Sequence, residues 1–197
     1  MIKKINLDYK EYLKNDNSDC LILDPPWNFD NKSPKITATT QFTKWQDDKK
    51  DLEEIFKLSN SQIIFCWTPA SYIPIFFEID LHGYKYKTIL SWVKLTKNKD
   101  IFKGMGFWFK NSCEYLLMFT KNGAKPLHSN IDTIIFEEVT KSSQTQKPKK
   151  FESRLLNNLY DSNYKKITYI FSGIFVNYDI PPGLELNLVD INFFNQR

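Results

Sequence analysis

The sequence predicts an α/β fold with a mainly parallel sheet flanked by helices. Three observations carry that expectation. Short apolar runs alternate with amphipathic stretches of helical length, which is the pattern of β-α-β units. The runs Leu21-Ile22-Leu23 and Ile63-Ile64-Phe65 are continuously apolar rather than alternating, as strands covered on both faces must be. The polar stretches 28–44, 96–112 and 140–147 separate these elements and read as long loops.

The elements follow in order. Cys20 to Asp24 reads as a buried strand, stopped by Pro25 and Pro26. Trp45 to Leu58 reads as a helix, with Leu52, Ile55, Phe56 and Ser59 on one side and acids facing out. Ile63 to Trp67 is a second strand. Thr68-Pro69 reads as the cap and first-turn proline of a helix running to about Leu81, closed by Gly83. Lys87 to Leu95, Glu114 to Thr120 and Thr133 to Val139 are further strands. Pro148 to Tyr160 is helical, with Phe151, Leu155, Leu156 and Leu159 at helical spacing. Ile167 to Phe171 is a strand, and Leu184 to Phe194 holds one or two more.

The 197 residues, with no internal repeat or linker, read as one domain over 1–197. At 42% hydrophobic and 25% charged the chain is neither disordered nor collagen-like. No apolar run approaches the roughly 20 residues of a membrane span. The N-terminal stretch has no apolar core of a secretory signal, so a cytoplasmic chain with no membrane contact is expected. Cys20, Cys66 and Cys113 are odd in number and lie in apolar stretches, which suits reduced core thiols. With only His82 and His128 and no Cys-x-x-Cys, no metal site is expected and a histidine-based triad has little to work with. Of 27 basic residues only Arg154 and Arg197 are arginine. Such a chain brings diffuse positive charge to phosphates but few guanidinium forks to base edges.

Asp24-Pro25-Pro26-Trp27 directly follows the first strong strand, where open α/β sheets bind ligands. One reading is a plain strand end with two rigid φ angles. The other is methyl transfer to an exocyclic amine. The nitrogen lone pair of such an amine is delocalised into its ring, so the nitrogen is a poor nucleophile. A carboxylate accepting one N–H and a backbone carbonyl accepting the other turn the lone pair outward. Asp24 supplies the first and Pro25 the second, and the prolines add no competing donor. Trp27 offers a face on which an extruded base can stack. Catalysis would be mainly positioning, with no metal and no covalent intermediate.

At these residues the chain resembles the adenine-N6 methyltransferases related to the catalytic subunit of the eukaryotic messenger-RNA adenine methyltransferase, whose bacterial and phage relatives act on DNA or are uncharacterised. Further blocks follow in consistent order over roughly residues 20–175. Ile64 to Thr68 is similar to the family's apolar strand ending in Trp. Gly83 to Thr88 with Trp92-Val93-Lys94 resembles its Gly-Phe-x-x-x-Thr…Trp-x-Lys stretch. Gly104 to Glu114 resembles its Gly-x-Gly-x-Trp-x-Arg-Asn-x-x-Glu block. Lys121-Asn122-Gly123 and Lys147-Pro148 match its later turn and its Lys-Pro.

The resemblance implies a Rossmann-like class I methyltransferase with permuted motif order, using S-adenosylmethionine. It implies that Asp24, Pro25, Pro26 and Trp27 are catalytic. It places Leu23, Asp24, Lys147, Phe171, Gly173 and Asn177 at the cofactor, with Lys147 on the methionine carboxylate. It places Trp27, Asn28, Trp108, Asn111 and Glu114 at the substrate. Departures fall on the cofactor side. Gln144-Thr145 stands where relatives have His-Ser, and Tyr169 to Gly173 stands for Glu-Leu-Phe-Ala/Gly-Arg, without its acid or arginine.

Between Lys85 and Lys125 nine lysines face two acids, interleaved with Trp92, Phe102, Phe107, Trp108 and Phe109. That mixture suits a nucleic-acid strand, while a solvated face is the plainer alternative. Gly104 and Gly106 are hinges of a closing loop or simple turns. The expected partner is nucleic acid, DNA ahead of RNA, with a homo- or heterodimer left open. The alternative is a catalytically impaired nucleic-acid-binding subunit that partners an active methyltransferase.

Overall fold

Strand β2 (Cys20–Asp24) sits inside the sheet, and its alternation explains the continuous apolar run. Cys20 and Ile22 point to one face and Leu21 and Leu23 to the other, all four sealed from solvent. Both faces of the sheet carry helices, so no residue of such a strand can be polar without a partner. The computed structural model describes residues 1–28, 45, 47–104, 106, 108–128, 131–139, 146–172 and 178–191.

Around β2 the described chain forms β1 (Ile2–Ile5), α1 (Tyr9–Leu13), α2 (Asp48–Leu58), β3 (Ile63–Thr68), a 3-10 helix (Ala70–Phe77), β4 (Lys85–Leu95), β5 (Cys113–Thr120), β6 (Ile134–Glu138), α3 (Lys149–Asp161), β7 (Lys166–Phe171) and β8 (Glu185–Asp190). Eight strands make one sheet in the order β1-β8-β7-β2-β3-β5-β4-β6. β5 runs antiparallel to both its neighbours, β3 and β4, and every other pairing is parallel. The expected Rossmann-like α/β class is thus the observed one.

α3 covers one face through Phe151, Leu155, Leu156 and Leu159, packed on Ile22, Phe65, Trp67 and Tyr169. α1, α2 and the 3-10 helix cover the other, where Leu13, Leu52, Ile55, Phe56 and Phe76 meet Leu21, Leu23, Ile64 and Cys66. Cys20 and Cys66 are buried thiols and Cys113 is half-buried. No helix among the described residues is long and apolar enough to cross a membrane.

Three elements differ from expectation. β1 and α1 were not foreseen. β1 is a four-residue edge strand with an almost wholly exposed pattern, and α1 is five residues capped by Asp8, whose carboxylate accepts from the Lys10 and Glu11 N–H groups. The helix expected from Thr68 to about Leu81 is a 3-10 helix ending at Phe77. Pro74 lies inside it and has no N–H for an α-helical bond. Thr68 belongs to β3 and bonds Cys66 O instead of capping. Gly83 therefore does not close the helix, whose cap is Glu78, but sits at φ +84° in the turn that leads into β4.

Candidate active site

Asp24 is the last residue of β2 and pairs with Phe171, the last residue of β7. Its carbonyl accepts from the Ser172 N–H at 3.1 Å, which ties the two strand ends together. Pro25 and Pro26 are buried and stop the ladder, because neither has an N–H. The chain then folds back tightly: the Trp27 N–H donates to Pro25 O at 2.9 Å and the Trp45 N–H to Pro26 O at 3.3 Å.

Beyond the strand end four charges alternate. Lys147 Nζ lies 2.9 Å from Asp24 Oδ1 and also bonds Glu114 Oε1. Glu114 Oε2 lies 2.9 Å from Lys94 Nζ. Lys147 comes from the segment before α3, Glu114 from β5 and Lys94 from β4, so the group joins both halves of the sheet at Asp24. The ammonium of Lys147 is 5.4 Å from the Trp67 ring and that of Lys94 is 4.8 Å from the Trp92 ring, geometries that favour a cation.

Position sets the protonation of each group. Burial pushes the Asp24 carboxyl up to about 6, Lys147 pulls it down, and Glu114 pushes it up again. Burial also pushes Glu114 up, but Lys147 and Lys94 outweigh it and hold that carboxyl at about 2. Burial disfavours the charge on Lys147, yet Asp24 and Glu114 keep its ammonium above the ordinary lysine range.

A further acid lies behind this group. Glu152, in the first turn of α3, is fully buried. Its Oε1 accepts from Trp67 Nε1 at 2.6 Å and from the Tyr169 hydroxyl at 3.2 Å. Trp67 and Tyr169 belong to the strands on either side of β2, so the carboxylate spans β2 on the α3 face. Among the described residues its Oε2 has no hydrogen-bond partner. Burial pushes this carboxyl up to about 7. The start of α3 is itself fixed from outside. Its cap residue, Pro148, has no side-chain bond to offer, and Glu137 on β6 accepts from the Lys150 and Phe151 N–H groups at 2.8 and 3.0 Å.

Of the residues singled out from sequence, the structure brings Asp24, Glu114, Lys147 and Phe171 together at one end of the sheet. Two expectations need correction. Trp27 does not present an open stacking face. Its indole is 6% exposed, donates from Nε1 to Trp67 O at 3.1 Å, and lies 4.7 Å from the Tyr72 ring with Trp45 and Phe76 beside it. The ring anchors the strand end instead. Leu23 turns its side chain into the core under α2, on the face opposite Asp24.

Asn28 is exposed, with its N–H directed to Asp48 and its carbonyl bonded by the Tyr72 hydroxyl. Trp108 and Phe109 are 92% and 87% exposed, on the loop between β4 and β5 that also carries the exposed Asn111. Gly104 and Gly106 serve close backbone approach there. The Gly104 N–H donates to Asn111 O at 2.8 Å. A Cβ on Gly104 would lie 2.5 Å from that oxygen, and one on Gly106 would collide with Phe109 O. Gly173, Asn177, Phe107 and Gln144-Thr145 lie outside the described residues.

The sequence reading does not single out Glu152 as a site residue, and it places Lys94 in the Trp-x-Lys stretch and among the lysines between Lys85 and Lys125 without giving it a role at the site. Glu152 had a signal, an acid on the apolar stripe formed by Leu155, Leu156 and Leu159. Among the described residues no group of three or more His, Cys, Asp or Glu could hold a metal ion. Residues 18–171 match the MT-A70 family model. No curated protein matches the chain.

Proposed function

The chain belongs to the MT-A70 family of S-adenosylmethionine-dependent methyltransferases, and on that premise we propose that it methylates the N6 amine of adenine in a nucleic acid, DNA ahead of RNA. The observation that carries the proposal is Asp24. It is a carboxylate at the carboxyl end of a buried parallel strand, ion-paired with a buried lysine and followed by two residues that donate nothing.

The residues present fit the donor. Lys147 is a buried cation suited to a carboxylate, and the Phe171–Ser172 strand end lies directly beside Asp24. When bound, S-adenosylmethionine supplies a methyl group made electrophilic by its sulfonium. Asp24 accepts one N–H of the amine and turns its lone pair outward. Pro25 O gives one lone pair to the Trp27 N–H and keeps a second for the other N–H of the amine. Lys147 holds Asp24 in its accepting, ionised form against the cost of burial. Trp108 and Phe109, standing among the exposed Lys97, Lys103 and Lys110, supply stacking faces and positive charge for the strand.

The test is incubation with labelled donor and DNA or RNA, with N6-methyladenine read by mass spectrometry. Product on DNA supports the proposal in full, and product on RNA alone reverses the substrate order. A folded chain that binds nucleic acid but gives no product, with no calorimetric binding of the donor, sinks the proposal and favours the non-catalytic subunit.

A further inference from the structure

A core carboxylate with nothing on one oxygen is rare, because a buried acceptor without a partner costs free energy. Glu152 is such a group. Two donors, Trp67 Nε1 and the Tyr169 hydroxyl, converge on Oε1 and fix the carboxylate, and among the described residues nothing bonds Oε2. The same indole that Glu152 holds by its nitrogen carries the Lys147 ammonium 5.4 Å from its ring. A buried carboxyl and a buried ammonium thus share one tryptophan on the α3 face. They stand where β2, β3 and β7 end.

An α-amino acid carries the complementary pair of charges on a single carbon. We infer that Glu152 supplies the second point of a clamp on the amino-acid end of the methyl donor, with its Oε2 on the α-ammonium while Lys147 takes the carboxylate that the family resemblance already assigns to it. This rests on the methyltransferase reading and names what holds the donor. It also explains a division of labour between the acids. Asp24 already holds Lys147 on Oδ1 and has to accept from the substrate amine, so a second acid beside the donor leaves the remaining lone pairs of Asp24 to the reaction. Glu152 is that acid, on the neighbouring helix.

The test is calorimetry of the full chain with S-adenosylhomocysteine and with its analogue lacking the α-amino group, for the unmodified protein and Glu152→Gln. Glutamine keeps an acceptor for Trp67 and Tyr169 and puts a neutral amide where Oε2 stood. The unmodified protein is expected to prefer the amino ligand by about tenfold, the worth of one charge-assisted bond. Glu152→Gln is expected to bind the two ligands alike, with a cooperative thermal transition. A preference retained in the variant overturns the clamp. So does a preference below about twofold in the unmodified protein, a measurement that stands even if the variant fails to fold. Absence of any S-adenosylhomocysteine binding to the unmodified protein overturns the methyltransferase reading, and the clamp with it. Binding without discrimination overturns the clamp alone.

Discussion

The Lys147 ammonium lies 2.9 Å from Asp24 Oδ1, and its other contact, Glu114, is held in turn by Lys94. The two acids are therefore not equivalent. Glu114 has two cations, while Asp24 has one, so the cations outweigh burial at Glu114 and burial prevails at Asp24.

That asymmetry predicts what removing the lysine does. Lys147→Met leaves Asp24 buried without a counter-ion, whereas Glu114 keeps Lys94. Breaking a buried pair from one side costs about 3–5 kcal/mol. The loss in urea unfolding is expected to be near that range at pH 8 and smaller at pH 5, where Asp24 takes up a proton. An equal loss at both pH values would show that the lysine does not act through this carboxylate.

Asp24 has to be ionised to accept from an amine. Its carboxyl titrates at about 6, so kcat/KM for methylation is expected to fall as pH is lowered through that value. The stability effect has the opposite sense. The folded state holds the proton more tightly than the unfolded chain does. The stabilisation from Asp24 is therefore fully present below its ordinary pKa and is lost as pH rises through about 6. Asp24→Ala is expected to lower transfer by at least about 100-fold while the chain still unfolds cooperatively, since Glu114 continues to hold Lys147. Rate profiles and urea melts from pH 5 to 8 check both statements.

Glu137 caps α3 from another strand, and the residue before that helix's cap is Lys147. Glu137→Ala leaves the Lys150 and Phe151 N–H groups without this partner and is expected to cost about 1–2 kcal/mol, the range for a lost helix cap. The same change is expected to weaken donor binding, because it frees the segment that positions Lys147. Glu137→Gln, which keeps one acceptor, should fall between. Denaturant unfolding together with calorimetry reads both effects.

Trp108 and Phe109 support no core. Replacing both by Ala is expected to leave stability within about 0.5 kcal/mol and to weaken strand binding by about 1–3 kcal/mol per stacked base. The salt dependence of binding should stay unchanged, because no charge is removed. Lys103→Ala with Lys110→Ala should instead reduce that salt dependence. Fluorescence anisotropy on a labelled oligonucleotide separates the two outcomes.

The sequence foretold those parts of the fold whose cause is local. β2 and β3 announce themselves because strands covered on both faces cannot carry polar residues, and α3 does so through the spacing of Phe151, Leu155, Leu156 and Leu159. Asp24 stands out because the prolines mark where the ladder must stop. β1 and α1 escaped because four and five residues are too few for a period to show. The 3-10 helix escaped because its apolar residues suit either helical form and only Pro74 decides between them. Within the site, the pairing of Lys147 with Asp24 and Glu114 joins three distant segments, and only the folded sheet brings them together. Trp27 looked like a platform because an aromatic after a strand end does often face a ligand. Its burial comes from Trp45 and Tyr72, which arrive from later in the chain.

The two indoles at the strand end form a relay. Trp27 donates to the backbone of Trp67, and Trp67 donates to Glu152 while its ring faces an ammonium. Tryptophan emission responds to a nearby charge, so the protein carries a built-in optical gauge of its own pocket. A ligand that draws Lys147 away from that ring changes the colour of the chain's fluorescence, and occupancy can be followed with no dye attached.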